Sequence, residues 1–339
     1  MEKLLLQGNE AIALGAVKAG LSFYASYPIT PASEILHYLV KTNVKVVQME
    51  DEIASINAVI GASLAGAKSM TATSGPGFSL KQEGIGLAHM IEAPLVVVDV
   101  QRVGPSTGMP TLPAQGDILQ CKYGSHGDYF PIVFYPNSVS ELYRYSMEAF
   151  NAAEDSLSPV ILLSDGYISH LTETMVPAEI PIKPRTLPPL GALGTRHYTG
   201  LTHKGAFPKA TDAEAHQEHM AHLQKKQLEV AKNYLFYEYL ENKNSDTLLI
   251  SFGAMSRLAY AFKDQYSLFR PIRIFPMIEE LTEIAQRYRK ILVLEMNAGQ
   301  YLSEVERLLQ RRVKLVSVLG GKINLNQVAR EVQWAIETI

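Results

Sequence analysis

Hydrophobic and polar positions alternate regularly through roughly the first 165 residues, where short β-branched apolar runs precede alanine-rich stretches. A polar or glycine-containing turn separates each run from the next stretch, which is typical of a parallel sheet with helical crossovers. The run Leu95–Val100 is apolar almost throughout, as expected for a strand covered on both faces. The apolar runs predict strands at 22–26, 44–49, 69–73, 95–100, 132–135 and 160–163. The stretches between them predict helices at 9–19, 31–41, 52–65, 78–90 and 138–153.

The pattern changes after residue 176. Six of the 18 prolines fall between residues 177 and 208 together with several glycines, so we predict an extended connector there. A long helix is predicted to begin at Thr211, which has capping-box spacing with Glu214, and to continue to about residue 242. Shorter alternating runs then predict further strands at 247–251, 272–275, 291–294 and 314–318.

The length of 339 residues fits two domains of ordinary size. Hydrophobic residues make up 47% of the chain and charged residues 19%, which is enough apolar surface for both cores and excludes a disordered chain. We expect an α/β protein with a larger parallel-sheet domain at 1–176, a connector and long helix at 177–245, and a smaller α/β domain at 246–339.

Charge and cysteine content exclude several classes of function. The 31 basic and 34 acidic residues give a net charge of -3 without a basic run, which argues against a nucleic-acid partner. Cys121 is the only cysteine, so the chain can supply neither an internal disulfide nor the ligands of an iron–sulfur cluster. The N-terminal apolar stretch is too short for a signal peptide, and no apolar run approaches the ~20 residues that span a bilayer. We expect a soluble, cytoplasmic protein without a membrane partner, whose redox centre, if any, lies on another chain.

Candidate chemistry lies in the loops that follow the predicted strands, because the carboxyl ends of parallel strands share one edge of a sheet. These loops place a hydroxyl, a carboxylate, a glycine turn and a guanidinium on that edge, from Thr30, Glu52, Ser74–Gly77 and Arg102. A hydroxyl and a guanidinium fork together suit a small carboxylate ligand.

Each candidate also has an ordinary structural interpretation. Thr30 can cap the helix at 31–41, and Glu52 can complement the dipole at a helix start, with Glu50 and Asp51 as surface acids. Arg102 can pair with a neighbouring carboxylate, and Ser74–Gly77 can be a plain tight turn. Small residues recur through 53–67, which indicates a close helix neighbour either inside the chain or on another subunit.

Four segments together resemble the α subunit of the 2-oxoacid:ferredoxin oxidoreductases. The match covers about the first 170 residues, and Gln115-Gly116-Asp117 and His126-Gly127-Asp128 are most similar to the 2-oxoglutarate branch. Residues 247–339 are similar in pattern to the transketolase C-terminal-like domain that follows in this family. The four segments are Tyr27-Pro28-Ile29-Thr30-Pro31, Glu50-Asp51-Glu52, Thr71-Ala72-Thr73-Ser74-Gly75-Pro76-Gly77, and Arg102 to Thr111.

The resemblance implies a pyrimidine-type thiamine-diphosphate-binding domain that works only with a β subunit. In this family the β chain supplies the diphosphate-binding domain, the Mg²⁺ ligands and an iron–sulfur cluster of the 4Fe-4S type, and the cofactor lies between the chains. Here Ser164-Asp165-Gly166 lacks the leading glycine of the Gly-Asp-Gly signature, and no Asn-Asn follows at the required distance. We therefore expect no metal ligands on this chain.

Residue roles follow from the same resemblance. Glu52 matches the glutamate that hydrogen-bonds the aminopyrimidine nitrogen of thiamine diphosphate, and Pro28 matches a residue that packs near that ring. Thr30 and Arg102 match the residues that bind the 2-oxoacid carboxylate. Ser106 and Thr107 are candidates for the distal group of the substrate, with a purely structural loop as the alternative because Gly104-Pro105 and Gly108 flank them.

The reaction implied is oxidative decarboxylation of 2-oxoglutarate with coenzyme A to succinyl-CoA and CO₂, with electrons passing through partner clusters to ferredoxin. A branched-chain 2-oxoacid or pyruvate is the alternative substrate, and a non-catalytic scaffold of the same fold is the alternative of another class. The expected assembly is a dimer of heteromers that includes a β subunit and, in some forms, γ and δ subunits.

Histidines at 203, 216, 219 and 222 are more typical of a solvated helix face than of a metal site.

Overall fold

The computed structural model describes residues 3–192 and 196–339, and helices flank the sheets of this part of the chain. The strands of the first region are β1 (Leu4–Gln7), β2 (Phe23–Ser26), β3 (Lys45–Gln48), β4 (Ser69–Thr73), β5 (Leu95–Val103), β6 (Met109–Pro113), β7 (Ile132–Phe134), β8 (Pro159–Asp165) and β9 (Thr172–Met175). The later strands are β10 (His203–Lys204), β11 (Phe207–Pro208), β12 (Tyr237–Leu240), β13 (Thr247–Ser251), β14 (Ser267–Pro271), β15 (Arg273–Phe275), β16 (Lys290–Glu295) and β17 (Lys314–Ser317).

Helices connect most of these strands. The first seven are α1 (Gly8–Lys18), α2 (Ser33–Leu39), α3 (Glu52–Leu64), α4 (Gly75–Met90), α5 (Ile118–Tyr123), α6 (Val139–Ser156) and α7 (Gly166–His170). The others are α8 (Ala213–Lys232), α9 (Gly253–Ala259), α10 (Glu280–Ala285), α11 (Gln300–Leu309) and α12 (Leu325–Glu337). None of the described helices has the length and hydropathy needed to cross a bilayer.

The larger sheet has the order β15-β7-β8-β5-β4-β2-β3, with β6 paired to β5. The pairs from β7 to β3 are parallel, as the alternation of runs predicts. Residues of β5 point alternately into two apolar clusters: Val96 and Val98 pack with α1 and α6, whereas Val97 packs with α3 and α4. Leu95–Val100 is buried throughout, which confirms a strand covered on both faces.

The smaller sheet has the order β12-β14-β13-β16-β17 and is parallel except at β12. The prediction that 272–275 is a strand of this sheet was wrong, because Arg273–Phe275 pairs antiparallel with β7 in the larger sheet. The chain leaves β14 at Pro271 and crosses over, and the Ile272 carbonyl accepts a hydrogen bond from the Tyr135 amide at 2.7 Å. An apolar run identifies a buried strand without identifying the sheet that it joins.

The long helix is shorter than predicted. It begins at Ala213 after Asp212, whose carboxylate accepts the Ala215 amide at 3.0 Å, so Asp212 and not Thr211 is the cap. It ends at Lys232, and the following chain forms β12, which pairs with β14. The alternating aromatic residues of β12 are typical of a strand, and Tyr237 stacks on Phe269 of β14 with ring centroids 5.2 Å apart.

Candidate functional site

Thr30 lies in the loop between β2 and α2, on the edge of the larger sheet that the sequence indicates. It does not cap α2, because that helix begins at Ser33 and its N-cap position is Ala32, which has no polar side chain. Thr30 is exposed, and its carbonyl accepts a hydrogen bond from Arg102 at 2.7 Å. The structure therefore brings together the two residues to which the resemblance assigns the substrate carboxylate.

Arg102 lies at the end of β5 and is buried. Its Nη1 donates to the Thr30 carbonyl, and its Nε has no hydrogen-bond partner among the described residues. No carboxylate in the described ranges forms an ion pair with this guanidinium, so the ordinary structural interpretation of Arg102 does not hold. The charge of Arg102 acts on nearby Asp117, but a buried guanidinium that forms no ion pair can still bind an anionic ligand.

Glu52 is the first residue of α3, after the short loop that follows β3. The capping function belongs to Asp51, whose Oδ1 accepts the Ala54 amide at 2.7 Å, so Asp51 is not merely a surface acid. Glu52 is only 5% exposed, which a dipole-complementing surface acid would not be. The division of labour between Asp51 and Glu52 leaves the Glu52 carboxyl free for another role.

Ser74–Gly77 is not a tight turn, because Ser74 is the N-cap residue of α4 and Gly75–Gly77 form its first turn. A side chain at Gly77 would place its Cβ 2.3 Å from Glu52 Oε1 and 2.1 Å from Thr73 Oγ1. Glycine is thus required where α4 passes against the Glu52 carboxyl.

A cavity of about 690 Å³ lies between this edge and the smaller sheet. On the side of the larger sheet, its lining includes Arg102, Ser106, Gly75 and Pro76. On the side of the smaller sheet, its lining includes Asn297, Gln300 and Gly320. Thr30, Glu52, Pro28 and Thr107 are not among its lining residues. Glu52 instead contacts Gly77, the next residue after the cavity-lining Gly75-Pro76, whereas Thr107 is exposed and Pro28 is half-buried after β2.

Two carboxyl groups near Arg102, the buried Asp99 and the half-buried Asp117, lie outside the site residues that the sequence predicts. Asp99 and Arg102 are the two charged residues in the buried part of β5, and Asp99 lies near Asp117, which lines the cavity. Burial raises the pKa of both groups, and the neighbouring charge of Asp117 raises the pKa of Asp99 further. The isolated aspartate in an apolar run was the available signal.

A buried lysine next to Glu52 was also missed. Lys81 on α4 is 0% exposed, and its Nζ contacts Ser55 Oγ and lies 3.3 Å from the Glu52 carbonyl oxygen. Burial lowers the pKa of Lys81 to about 7, although Glu52 and Asp51 oppose that shift. Its spacing of four residues from Gly77 was the only signal in the sequence, since both then lie on the same face of α4.

Hydrogen bonds hold the two regions together behind the cavity. Gln115 donates to the Phe252 carbonyl at 2.8 Å and accepts the Met296 amide at 2.9 Å. Asp165, in the segment that lacks the Gly-Asp-Gly signature, accepts hydrogen bonds from Tyr135, Tyr167, Ile168 and Ala254. Both oxygens of Asp165 are thus engaged in the structure of the chain itself.

Of the four predicted histidines, His216 and His222 are exposed as expected, whereas His203 and His219 pack against each other. The rings of His197 and His203 stack at 4.5 Å between centroids, and His203 meets His219 at 4.3 Å. His219 is buried, and this burial lowers its pKa to about 4. Within 3–192 and 196–339, no group of three or more His, Cys, Asp or Glu is arranged to hold a metal ion.

Comparisons with known proteins agree with this geometry. Residues 14–234 match the family described as pyruvate flavodoxin/ferredoxin oxidoreductase, thiamine-diphosphate-binding. The chain is 42% identical to the 2-oxoglutarate synthase subunit KorA of Archaeoglobus fulgidus, over 95% of this chain and 96% of that one. It is 36% identical to the ketoisovalerate oxidoreductase subunit VorB of Methanothermobacter marburgensis, over 98% of each chain.

A solved structure shares the fold as well. The 2-oxoglutarate:ferredoxin oxidoreductase from Magnetococcus marinus, with 2-oxoglutarate, coenzyme A and succinyl-CoA bound, superposes with a TM-score of 0.92 and 31% sequence identity. The alignment covers 98% of this chain and 65% of that chain. About a third of the Magnetococcus chain lies outside the alignment.

Proposed function

Because the chain belongs to the pyruvate flavodoxin/ferredoxin oxidoreductase family, we propose that it is the α subunit of a 2-oxoglutarate:ferredoxin oxidoreductase. The complete enzyme converts 2-oxoglutarate and coenzyme A reversibly to succinyl-CoA and CO₂, and the electrons pass to ferredoxin. Relatives named as subunits of 2-oxoglutarate synthase, similar over nearly the whole chain, support this assignment.

The observation that carries the proposal is the state of Arg102. Its guanidinium is buried, forms no ion pair with any carboxylate in the described residues, and keeps a free Nε beside the Thr30 loop. We assign Arg102 and Thr30 to the carboxylate next to the ketone of the substrate. Ser106 lines the same cavity and is assigned, with the neighbouring Thr107, to the distal carboxylate.

Glu52 is assigned to the aminopyrimidine end of thiamine diphosphate, with Pro28 packing near that ring. The residues fit this end of the cofactor, since a buried carboxyl freed from capping lies where Gly77 leaves room beside it. When bound, the cofactor supplies the nucleophilic carbon that cleaves the 2-oxoacid. The Glu52 carboxyl would hold the ring nitrogen of the cofactor through a hydrogen bond and so orient the ring.

The other half of the centre is assigned to partner chains. We propose that a β subunit supplies the diphosphate site, its Mg²⁺ and a 4Fe-4S cluster, that γ and δ subunits can join, and that the whole is a cytoplasmic dimer of heteromers. Residues 1–176 then form the pyrimidine-binding domain, 177–245 the connector, and 246–339 the transketolase C-terminal-like domain. The lone cysteine and the engaged Asp165 oxygens support this division.

A branched-chain 2-oxoacid is the second candidate substrate, and the 36% identity to a ketoisovalerate oxidoreductase subunit favours it as the alternative. A panel of 2-oxoglutarate, 2-oxoisovalerate and pyruvate, assayed on the complex, separates the candidates. We expect the highest kcat/KM for 2-oxoglutarate. A preference for 2-oxoisovalerate would transfer the assignment to the branched-chain enzymes.

Co-expression with the β subunit tests the assignment. The complex should reduce a viologen dye with a 2-oxoacid and coenzyme A, whereas the chain alone should neither reduce it nor bind thiamine diphosphate tightly. Turnover by the isolated chain would contradict the division of labour. A complex that binds the cofactor but turns over none of the three acids would instead favour a non-catalytic scaffold.

Substitution of Arg102 tests the substrate assignment. In the complex, Arg102→Ala should raise KM for 2-oxoglutarate, on the order of 100-fold for the loss of a charged hydrogen-bonding partner, and lower kcat less. Arg257→Ala is the matched control, since Arg257 also donates to a backbone carbonyl, that of Asn137, but pairs with Glu173 away from the cavity. Equal KM values for Arg102→Ala and the wild type would remove Arg102 from this role.

A further inference from the structure

Lys81 is the buried charged group that the proposed function leaves unexplained. Its side chain is 0% exposed, and it forms no ion pair with any residue in the described ranges. Lysine is almost never fully buried without a charged partner, because removing an ammonium group from water is costly. A fully buried lysine without an ion pair is therefore a candidate for a functional role.

The contacts of Lys81 lie on the first turn of α3. The amine contacts Ser55 Oγ and lies 3.3 Å from the Glu52 carbonyl oxygen, to which Ser55 Oγ also donates at 3.0 Å. One turn earlier on α4, Gly77 lies against the Glu52 carboxyl. The helix α4 therefore contacts Glu52 at two points, at the backbone through Lys81 and at the carboxyl through Gly77.

The charged groups that face the Lys81 amine are Glu52 and Asp51, both at the start of α3. Their negative charges favour the ammonium form, but burial outweighs them and lowers the pKa of Lys81 to about 7. The amine keeps N–H donors in either protonation state, so its contacts with Ser55 and Glu52 do not depend on full ionisation.

We propose that Lys81 is a positioning residue for Glu52, which fixes the first turn of α3 so that the Glu52 carboxyl meets the ring of the cofactor. This inference rests on the proposed function, because it is the proposed role of Glu52 that requires such positioning. It assigns Lys81 no contact with the substrate, whose carboxylate lies with Thr30 and Arg102 on other loops.

The test is Lys81→Met in the αβ complex, which keeps an unbranched side chain as far as Cε and removes the amine. We expect kcat to fall about 10-fold or more and KM for 2-oxoglutarate to stay within about 2-fold, since substrate binding uses other residues. In the complex without cofactor, amide hydrogen–deuterium exchange should increase at residues 52–56. The rate of C2 proton exchange on bound thiamine diphosphate, measured without substrate, should fall with kcat.

Lys68→Met is the matched control. Lys68 is also buried, at 8% exposure, and its Nζ donates to the carbonyls of Ala19 and Lys183, away from the cavity. Burial lowers the pKa of Lys68 as well. This variant should lose stability as Lys81→Met does, but it should leave kcat, C2 exchange and amide exchange at residues 52–56 at wild-type values.

The outcomes separate the two levels of the hypothesis. A wild-type complex that neither turns over a 2-oxoacid nor exchanges the C2 proton would overturn the proposed function. A working wild type with normal kcat and C2 exchange in Lys81→Met would overturn the role of Lys81 alone, as would equal losses of kcat in Lys68→Met. If Lys81→Met does not fold, Ser55→Ala removes the hydroxyl that the amine contacts, and an unchanged kcat in that variant would contradict the proposal.

Discussion

At the scale of single residues, the site depends on how neighbouring side chains divide their tasks. Asp51 caps α3 and thereby releases Glu52, and Gly77 leaves the space that the Glu52 carboxyl occupies. Arg102 donates to a backbone carbonyl instead of to a carboxylate. Neither the Glu52 carboxyl nor the Arg102 guanidinium is used for helix capping or for an ion pair within the described residues, so both groups stay available for a ligand.

Gly77→Ala should disturb this arrangement directly. The added methyl group would collide with Glu52 Oε1 and Thr73 Oγ1, so we expect a loss of about 1–3 kcal/mol in the free energy of unfolding and a lower kcat in the complex. Gly61→Ala on α3 is the control, because no atom of the described residues lies within 4 Å of its Cβ position. That variant should be more stable than the wild type by about 0.5–1 kcal/mol, as measured by chemical denaturation of the full chain.

The Asp99–Asp117 pair should make stability depend on pH. Burial raises the folded-state pKa of both groups, that of Asp117 to about 6, so the native state holds more protons than the unfolded state above pH 4. The contribution of Asp117 to the free energy of unfolding therefore falls as pH rises from about 4 to about 6. Asp117→Asn should flatten that decline relative to the wild type in denaturation curves at pH 4, 5, 6 and 7. Parallel pH profiles for the two proteins would contradict the raised pKa.

How far the sequence predicts the site depends on the residue. Thr30, Glu52 and Arg102 follow strands of a parallel sheet, so their shared edge could be predicted from the order of elements. The roles of Asp51 and Gly77 could not, because helix bounds are uncertain by a residue or two and a cap depends on them. Lys81 could not be identified either, since its burial results from the packing of α4 on α3.

At the scale of elements, hydrogen bonds from α8 and the residues after it attach the connector to residues 1–176. Glu92 accepts hydrogen bonds from His222 at 3.1 Å and from Lys226, and Tyr234 donates to Asp155 at 2.8 Å. The sequence misplaces the end of α8 here and the sheet of β15, and at both places chain segments cross between sheets. Local patterns of hydrophobicity do not encode such crossings, because the partner strand is distant in sequence.

Low pH should destabilise the folded state through His219 in this connector. Burial lowers the folded-state pKa of His219 to about 4, so the unfolded state binds more protons below pH 6.5 and stability falls as pH decreases through that range. His219→Leu should remove up to about 3 kcal/mol of that dependence, given 1.4 kcal/mol for each unit of pKa difference. Neither ring nitrogen of His219 has a hydrogen-bond partner among the described residues, so the substitution removes no hydrogen bond there. His37→Gln, at an exposed position on α2, should leave the profile unchanged, and an unchanged profile in His219→Leu would contradict the prediction.

At the scale of the whole molecule, the cavity lies where the region of the larger sheet meets the region of the smaller sheet. Gln115 connects them through the Phe252 carbonyl and the Met296 amide, and its own carbonyl accepts the Asn297 side-chain amide at 2.6 Å. The cavity walls come from both sides of this contact, so its shape depends on the relative position of the two regions.

Gln115→Ala should weaken this contact. The Phe252 carbonyl and the Met296 amide would be buried without partners, which costs about 1–3 kcal/mol for each group. We expect a lower free energy of unfolding by denaturation of the full chain and a higher KM for 2-oxoglutarate in the complex. Gln310→Ala, whose side chain donates to the Arg307 carbonyl on the exposed end of α11, should match the wild type in both. A Gln115→Ala variant as stable as the wild type would show that the two regions do not rely on this bridge.

A structure of the complex of this chain with its β subunit, with thiamine diphosphate and 2-oxoglutarate bound, tests the account most directly. We expect the aminopyrimidine nitrogen within hydrogen-bonding distance of the Glu52 carboxyl, and the 2-oxoacid carboxylate on Arg102 and Thr30. A cofactor bound away from Glu52 in an intact complex, or an Arg102 guanidinium that contacts no ligand, would contradict it.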